Sequence, residues 1–249
     1  MKSPLYAGFF DSERRIPMVR IAICGGSGYT GAELLRILSQ HPDAEITAVT
    51  SEKSAGKRVA DLFPHLVKYS GLIYEPLEKD RLLSKADVFF MALPHAASQE
   101  AVDFFFQKGK KVIDLSADYR LSDRAVNQEW YKTAHHYPTT LKRAVYGLPE
   151  LYRKSIRKAR LIANPGCYPT SAILAIFPAI KEGIIDADSI IVDSKSGTSG
   201  AGRKADVAIS FCEVNDGFKA YGVGVHRHTP EIEQELSNIT GTQVRIDFT

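Results

Sequence analysis

The segment that most restricts the fold is Gly26-Ser27-Gly28-Tyr29-Thr30-Gly31, because of what stands on either side of it. Before it runs Val19-Arg20-Ile21-Ala22-Ile23-Cys24, apolar except for Arg20, and after it come Ala32, Leu34, Leu35, Ile37 and Leu38 at helical spacing. A buried strand that feeds a helix through a G-x-G-x-x-G turn suits dinucleotide phosphates. The first glycine makes the tight turn, the second lets the backbone approach a pyrophosphate, and the third lets helix pack closely on strand. Free N–H groups at the helix start then face the anion.

The alternation continues along the chain. Residues 45–50 read as a second strand after the turn His41-Pro42-Asp43, residues 87–93 as a third strand, 97–108 as a helix and 111–115 as another strand. Strands alternating with helices predict a parallel sheet covered on both faces. From Leu148-Pro149 the pattern is mixed. Strands are expected at 160–163, 189–194, 221–226 and 243–248, helices at 169–181 and 230–237, and a glycine-rich loop at 196–202. The expected fold is therefore α/β: a Rossmann-type doubly wound parallel sheet at 18–148, then a second α+β catalytic and oligomerisation domain at 149–249. Residues 1–17 lack periodicity and read as an extension ahead of an alternative start at Met18. The last strand carries no turn or cap after it, so the second domain is expected to be C-terminally incomplete, with an open sheet edge.

Composition narrows the class of function. Across 249 residues, 32 Lys and Arg oppose 29 Asp and Glu, and a net charge of +3 is too small to mark a nucleic-acid binder. No apolar stretch reaches the ~18–20 residues of a membrane span. Three cysteines without a secretory leader point to a reducing, cytoplasmic setting, where each is core or chemistry. No metal site is expected.

In a dinucleotide unit the end of the second strand reads the adenosine ribose, and a carboxylate there favours NAD. Here the strand ends Val49-Thr50-Ser51, followed by Glu52, Lys53, Ser54, Lys57 and Arg58. Hydroxyls backed by cations suit the 2′-phosphate of NADP, with a one-residue shift that would bring Glu52 to the ribose as the competing reading.

Cys24 lies in the first strand and reads as core, and Cys212 lies outside any motif. Cys167 differs. Asn164-Pro165-Gly166-Cys167-Tyr168-Pro169-Thr170 puts a thiol at the mouth of a helix, where the dipole and free N–H groups favour a thiolate and can hold an oxyanion. No arginine-closed phosphate cradle follows it, which excludes a tyrosine phosphatase. A nucleophilic thiol needs a proton partner. His226-Arg227-His228 precedes a helix opened by Thr229-Pro230-Glu231, and residues two apart in an extended segment share a face, so both imidazoles are expected at one cleft with Glu231 or Glu213 to orient them. Ser196-Gly197-Thr198-Ser199-Gly200-Ala201-Gly202-Arg203 offers hydroxyls and a guanidinium to an anion. Asp114-Leu115-Ser116-Ala117-Asp118-Tyr119-Arg120 follows a strand of the parallel sheet, at the edge where such sheets bind ligands.

Dinucleotide, thiol, imidazole and anion pocket together fit the reductive dephosphorylation of an acyl phosphate. The thiolate attacks the acyl carbon and expels phosphate, and hydride from the nicotinamide then releases the aldehyde from the thioester. Taken in order, the glycine motif with Gly25, Ala55-Gly56-Lys57, Leu93-Pro94-His95, the 114–120 run, the 164–170 run, the 196–203 run and His226-Arg227-His228-Thr229-Pro230-Glu231 resemble the N-acetyl-γ-glutamyl-phosphate reductase family of arginine biosynthesis. The resemblance runs from Met18 to the last residue. It implies NADPH as reductant and an acyl phosphate, N-acetyl-glutamyl phosphate, as substrate. Carried over by motif, Cys167 is the nucleophile and His226 and His228 supply acid and base, His228 first.

The same resemblance implies cofactor contacts from Gly26, Ser27, Gly28, Tyr29, Thr30, Gly31, Ser51, Lys57, Pro94, Gly197, Ser199 and Gly200, and substrate contacts from Ser116, Arg120, Asn164, Ser196, Arg203 and Glu213. It also implies a homodimer or homotetramer, and a family pattern that continues past Thr249. Aspartate-semialdehyde dehydrogenase shares the reaction logic, but the Gly-Cys-Tyr-Pro-Thr run and the His-Arg-His triplet favour the acetylglutamyl branch. A catalytically incomplete NADP-binding module is the non-enzymatic alternative.

Overall fold

In the computed structural model, which describes residues 17–249, the first described element is β1 (Val19–Cys24), and the extension expected ahead of it lies, but for Pro17, outside the described residues. There follow α1 (Tyr29–Leu38), β2 (Ala44–Val49), the short helices α2 (Val59–Leu62) and α3 (Lys79–Leu83), β3 (Val88–Met91), α4 (Gln99–Gln107) and β4 (Lys111–Asp114). Then come α5 (Arg124–Tyr131), α6 (Pro138–Leu141), β5 (Val145–Tyr146), α7 (Pro149–Ile156) and β6 (Leu161–Ala163). Six strands form one sheet in the order β2-β1-β3-β4-β6-β5, and every pairing is parallel.

The run of apolar residues in β1 has a direct cause. Successive side chains point to opposite faces, and both faces are covered. Ala22 and Cys24 join Phe89, Met91 and Phe105 on one side, while Ile21 and Ile23 join Leu35, Val49 and Tyr74 on the other. Leu35, Phe89 and Phe105 are fully buried, each contributing about 1.5–3 kcal/mol relative to exposure. The rings of Phe89 and Phe105 stack at 3.8 Å.

A second core gathers around α8 (Cys167–Lys181), β7 (Ile190–Val192), α10 (Thr229–Thr240) and β8 (Ile246–Phe248), with the short α9 (Phe211–Val214) between β7 and α10. β7 and β8 pair in parallel, Ile190 with Ile246 and Val192 with Phe248, and these inward residues pack with Ile173 of α8 and Ile232 and Leu236 of α10.

Two expectations are corrected. Residues 160–163, read as opening the second region, supply β6 of the first sheet, bonded to both β4 and β5. An apolar triplet marks a buried strand but not the sheet that takes it. Residues 221–226, read as a strand, form turns instead. Gly222 (φ 64°) and Gly224 (φ 67°) are left-handed, Val225 N–H donates to the Gly222 carbonyl at 3.0 Å, and Val223 and Val225 are exposed. Alternating glycines broke the extended path, and neither valine found a surface to cover.

Because the sheet is parallel, the loops after β1, β3, β4 and β6 leave one carboxyl edge. These carry the glycine turn, Leu93-Pro94-His95, Ser116 to Arg120, and Asn164 to Cys167. Four of the sequence motifs are thereby brought to one side of the molecule.

Candidate active site

The glycine turn is packed where it must be and open where a ligand approaches. A Cβ on Gly31 would lie 2.4 Å from Gly26 Cα, and one on Gly26 would lie 2.2 Å from Val49 Cγ2, so helix and strand are too close for any side chain. A Cβ on Gly28 would meet nothing nearer than the Gly25 carbonyl at 4.0 Å. That open space stands before the start of α1, whose first-turn N–H groups have no side-chain cap. The residues present fit a dinucleotide phosphate.

At the end of β2, the Ser51 and Ser27 hydroxyls share a hydrogen bond of 2.7 Å, and Ser54 N–H donates to Ser51 Oγ at 3.2 Å. Glu52 is turned aside, its Oε1 accepting the Leu77 N–H at 2.9 Å. Lys57 is exposed beside this turn. Tyr29 and Ser199 line an open cleft of about 600 Å³, with Thr198, Gly202 and Lys204. Gly197 and Gly200 lie on the exposed turn around Thr198–Ala201, and Pro94 is exposed after β3.

Cys167 is the first residue of α8 and is exposed. Gly166 caps it in an extended conformation, and its carbonyl accepts Thr170 N–H at 3.0 Å and Thr170 Oγ at 2.8 Å. The cysteine therefore stands at the positive end of a 15-residue helix. The chain leaves β6, turns at Pro165-Gly166 and presents the thiol outward.

The two imidazoles meet there by a turn, not by the shared face of a strand. His228 N–H donates to His226 Nδ1 at 3.1 Å, and the ring centroids are 4.9 Å apart. Tyr168, next to Cys167, sets its ring edge against both, at 5.3 Å from His226 and 5.8 Å from His228. His228 Nε2 faces Gly166: a Cβ on that glycine would lie 2.7 Å from it. Burial, reinforced by the Arg120 charge and then by His226 and Arg227, pushes the His228 pKa down to about 3. His226 is lowered too, by loss of solvent and by Arg227. Both rings are neutral near pH 7 and can accept a proton.

Glu231 opens α10 three residues beyond His228 and is fully buried. Its Oε1 accepts the Gly166 N–H at 2.8 Å and the Tyr146 hydroxyl at 2.8 Å, and its Oε2 accepts Arg120 Nη1 at 3.3 Å. It makes no hydrogen bond to either imidazole among the described residues. Tyr146 lies on a two-residue strand that no periodicity reveals, and its part in the site was not legible beforehand.

Several expected substrate contacts are placed elsewhere. Arg120 is buried, its Nε donating to the Asn164 carbonyl at 2.7 Å and its Nη2 to the Leu115 carbonyl at 2.9 Å, so three of its five N–H donors are used within the protein. Ser116 is buried, its hydroxyl donating to Asp114 Oδ2 at 2.8 Å and accepting Asp118 N–H at 3.1 Å. Arg203 belongs to the cofactor side: Nη1 donates to the Ser27 carbonyl at 2.6 Å, and the guanidinium lies 5.2 Å from the Phe63 ring centre. Glu213 is exposed on α9, and its carboxylate accepts no hydrogen bond from the described residues. Asn164 stays at the turn before Cys167, its Nδ2 donating to the Pro165 carbonyl at 3.1 Å, and Ser196 is exposed with its hydroxyl donating to Gly197 O at 3.0 Å.

The exposed cation beside the imidazoles is Arg227, whose guanidinium lies 5.6 Å from the Tyr131 ring centre. It stood in the sequence as a spacer between two histidines. Among the described residues no helix is long and apolar enough to cross a membrane, and no cluster of side chains is arranged to hold a metal ion.

Residues 20–159 match the family model for the semialdehyde dehydrogenase NAD-binding domain, and residues 167–249 match that for the semialdehyde dehydrogenase dimerisation domain. An N-acetyl-γ-glutamyl-phosphate reductase from Pelobacter propionicus is 58% identical over 233 residues, 93% of this chain and 67% of that protein. One of the same name from Desulfotalea psychrophila is 57% identical over the same shares. Among solved structures, aspartate semialdehyde dehydrogenase II from Vibrio cholerae has a TM-score of 0.66 at 16% identity, over 93% of this chain and 69% of that one. The NADP complex of the Candida albicans aspartate semialdehyde dehydrogenase has a TM-score of 0.63 at 15% identity, over 93% and 67%. At such identities the structures speak for a shared fold.

Proposed function

Because the chain belongs to the semialdehyde dehydrogenase family, in its N-acetyl-γ-glutamyl-phosphate reductase branch, we infer that it is an NADPH-dependent oxidoreductase of arginine biosynthesis. It converts N-acetyl-glutamyl 5-phosphate, with loss of phosphate, to N-acetyl-glutamate semialdehyde. The observation that carries the catalytic assignment is the meeting of an exposed Cys167 at the start of α8 with His228, whose Nε2 faces the adjoining Gly166.

The Cys167 thiolate attacks the acyl carbon. A C–S bond forms, the C–O bond to phosphate breaks, and phosphate leaves with the electron pair. Neutral His228 takes the thiol proton and returns it when the thiolate is released, and His226, hydrogen-bonded to the His228 amide, holds the turn. The free N–H groups at the start of α8 face the oxyanion of the tetrahedral intermediate. Arg227 is the cation available to a substrate carboxylate or phosphate, with Asn164 and Ser196 at the rim.

Gly26, Ser27, Gly28, Tyr29, Thr30 and Gly31 would hold the pyrophosphate, Ser51 and Lys57 the 2′-phosphate, and Pro94, Gly197, Ser199 and Gly200 the rest of the cofactor. When bound, NADPH supplies the hydride that turns the thioester into the aldehyde. The aside-turned Glu52 supports NADP, because it leaves no carboxylate to repel the extra phosphate. We place the end of the cofactor-binding region after β6, and assign the segment from Cys167 onward to catalysis and self-association. Its exposed Ile191, Phe211 and Phe218 suit contact with a second copy, in a homodimer or homotetramer.

Turnover of N-acetyl-glutamyl phosphate and of aspartyl phosphate with NADPH, on one preparation, tests the reading. Faster reduction of the aspartyl compound overturns the substrate assignment. NADPH binding without turnover of either, and without a thioester trapped at Cys167, would leave only a cofactor-binding module.

A further inference from the structure

Arg120 and Glu231 form the one ion pair among the described residues in which both side chains are almost wholly buried, at 6% and 0% exposed. Such a pair is costly to desolvate, and losing one partner strands the other. A fold keeps it cheaply only where every remaining lone pair and proton is satisfied, and here each contact ends on the nucleophile turn or its supports. Arg120 Nε holds the Asn164 carbonyl, two residues before Gly166, and Glu231 Oε1 holds the Gly166 amide itself. Tyr146, from the strand beside β6, donates to that same oxygen.

We propose that Glu231 is a positioning residue: its buried carboxylate clamps the Gly166-Cys167 turn to the helix start that carries His228, and Arg120 is its counter-ion. The proposal rests on Cys167 and His228 being the nucleophile and its proton partner. Glu231 touches neither reacting atom. It acts through the amide one residue before the thiol and through the helical turn it shares with the imidazole.

The charges around His228 set the pH behaviour to be measured. Arg120, Arg227, His226 and His95 bear on it from three segments, and the Tyr168 ring edge packs against it. Among them Arg120 is the one permanent cation paired to a buried carboxylate. With that carboxylate neutral, the guanidinium charge would act uncompensated on the cleft.

Two variants separate clamp from charge. Glu231→Gln keeps an oxygen for the Gly166 and Tyr146 donors but removes the charge beside Arg120, and Tyr146→Phe removes one donor and keeps the charge. The first readout is the pH profile of iodoacetamide alkylation, followed by mass at the Cys167 peptide because Cys212 is exposed as well. It needs neither substrate nor cofactor, so it stands apart from the acyl-phosphate assignment. The second is the split between kcat and KM.

Glu231→Gln, whose amide NH2 would meet the Arg120 Nη1 donor and so push the clamp out of place, is expected to move the alkylation profile toward lower pH and to lower kcat about 100-fold, as for a misplacement of about 1 Å, with KM nearly unchanged. Tyr146→Phe is expected to lower kcat by a smaller factor without moving the profile. Should Glu231→Gln not fold, Glu231→Asp, which keeps the charge and shortens the reach to the Gly166 amide, replaces it and is expected to lower kcat at constant KM. Wild-type kcat and alkylation in the variants overturn the proposal. So does a rise in KM of about tenfold at constant kcat, which marks a substrate contact. A shifted alkylation profile in a protein that reduces no acyl phosphate upholds the clamp and refutes the assigned reaction.

Discussion

His228 Nε2 rests on Gly166: the space a methyl group would need on that glycine ends 2.7 Å from the ring nitrogen and 3.0 Å from Arg120 Nη1. The residue before Cys167 is glycine because imidazole and guanidinium occupy the volume of a side chain. Gly166→Ala must therefore push His228 aside. Its kcat is expected to fall about 100-fold, the effect of displacing a reacting group by about 1 Å. Steady-state kinetics with a melting curve checks this, and unaltered kcat would show that the ring has room to move.

Cys167→Ser is expected to abolish the thioester and the reduction while leaving NADPH affinity near wild type, since Cys167 begins α8 and the glycine turn lies at α1. Mass spectrometry of the quenched enzyme with a fluorescence titration of NADPH decides it. Reduction that survives would move the nucleophile elsewhere.

Burial and the Arg120 charge hold the His228 pKa down at about 3, so the activity is expected to carry no acid limb near the ordinary histidine value of about 6.5. Acidification from pH 8 to pH 5 leaves the base unprotonated. His228→Ala is expected to lower kcat by about 10²–10⁴-fold, and His226→Ala by less, because His226 acts on the turn. An acid limb at pH 6 to 7 that disappears in His226→Ala would exchange the two roles.

At the cofactor end, Ser51→Asp sets a carboxylate beside Ser27 where the 2′-phosphate is expected. The ratio of kcat/KM for NADPH to that for NADH should fall about tenfold or more, the value of ~1.4 kcal/mol of repulsion. An unchanged ratio would show that the phosphate is read elsewhere, with Lys57 the next position to vary.

His135 gives a test of stability alone. It is 1% exposed, and burial, followed by the Arg124 charge, lowers its pKa to about 4. Its unfolded form takes a proton as pH falls through about 6.5 while the folded form does not until about 4. Its stabilising share is thus full above 6.5 and lost on acidification. Buried Asp114, raised to about 6, and raised Asp118 and Glu235 act in the opposite sense, so the whole-protein curve mixes both. The difference in unfolding free energy between wild type and His135→Gln isolates the histidine, and it should shrink by about 1.5 kcal/mol from pH 6.5 to 5. A constant difference would mean that the ring is solvated in the folded state.

The first sheet was legible because burial on both faces writes itself as short apolar runs. Ile21 to Cys24, Phe89 to Met91 and Val112 carry that signature, and the glycine turn fixed the order of strand and helix. Cys167 was legible from Pro165-Gly166 ahead of a helix. The partners of Arg120 were not, because a guanidinium paired with a buried carboxylate and one wholly open to solvent look alike in a linear chain. Only the Asn164, Leu115 and Glu231 oxygens around it tell them apart. The 221–226 turn was misread for a related reason: alternating valines promise a half-buried strand, but no neighbouring surface offered them cover.

The Gly166 amide has a consequence for how motion is distributed here. Its hydrogen is held by a carboxylate with no solvent exposure, while the next residue along the chain opens its thiol to water. Backbone exchange with deuterium at Gly166 should then require the opening of α10 and β5 together, and so proceed near the rate of global unfolding. An exposed thiol would sit one peptide bond from one of the slowest amides of the protein.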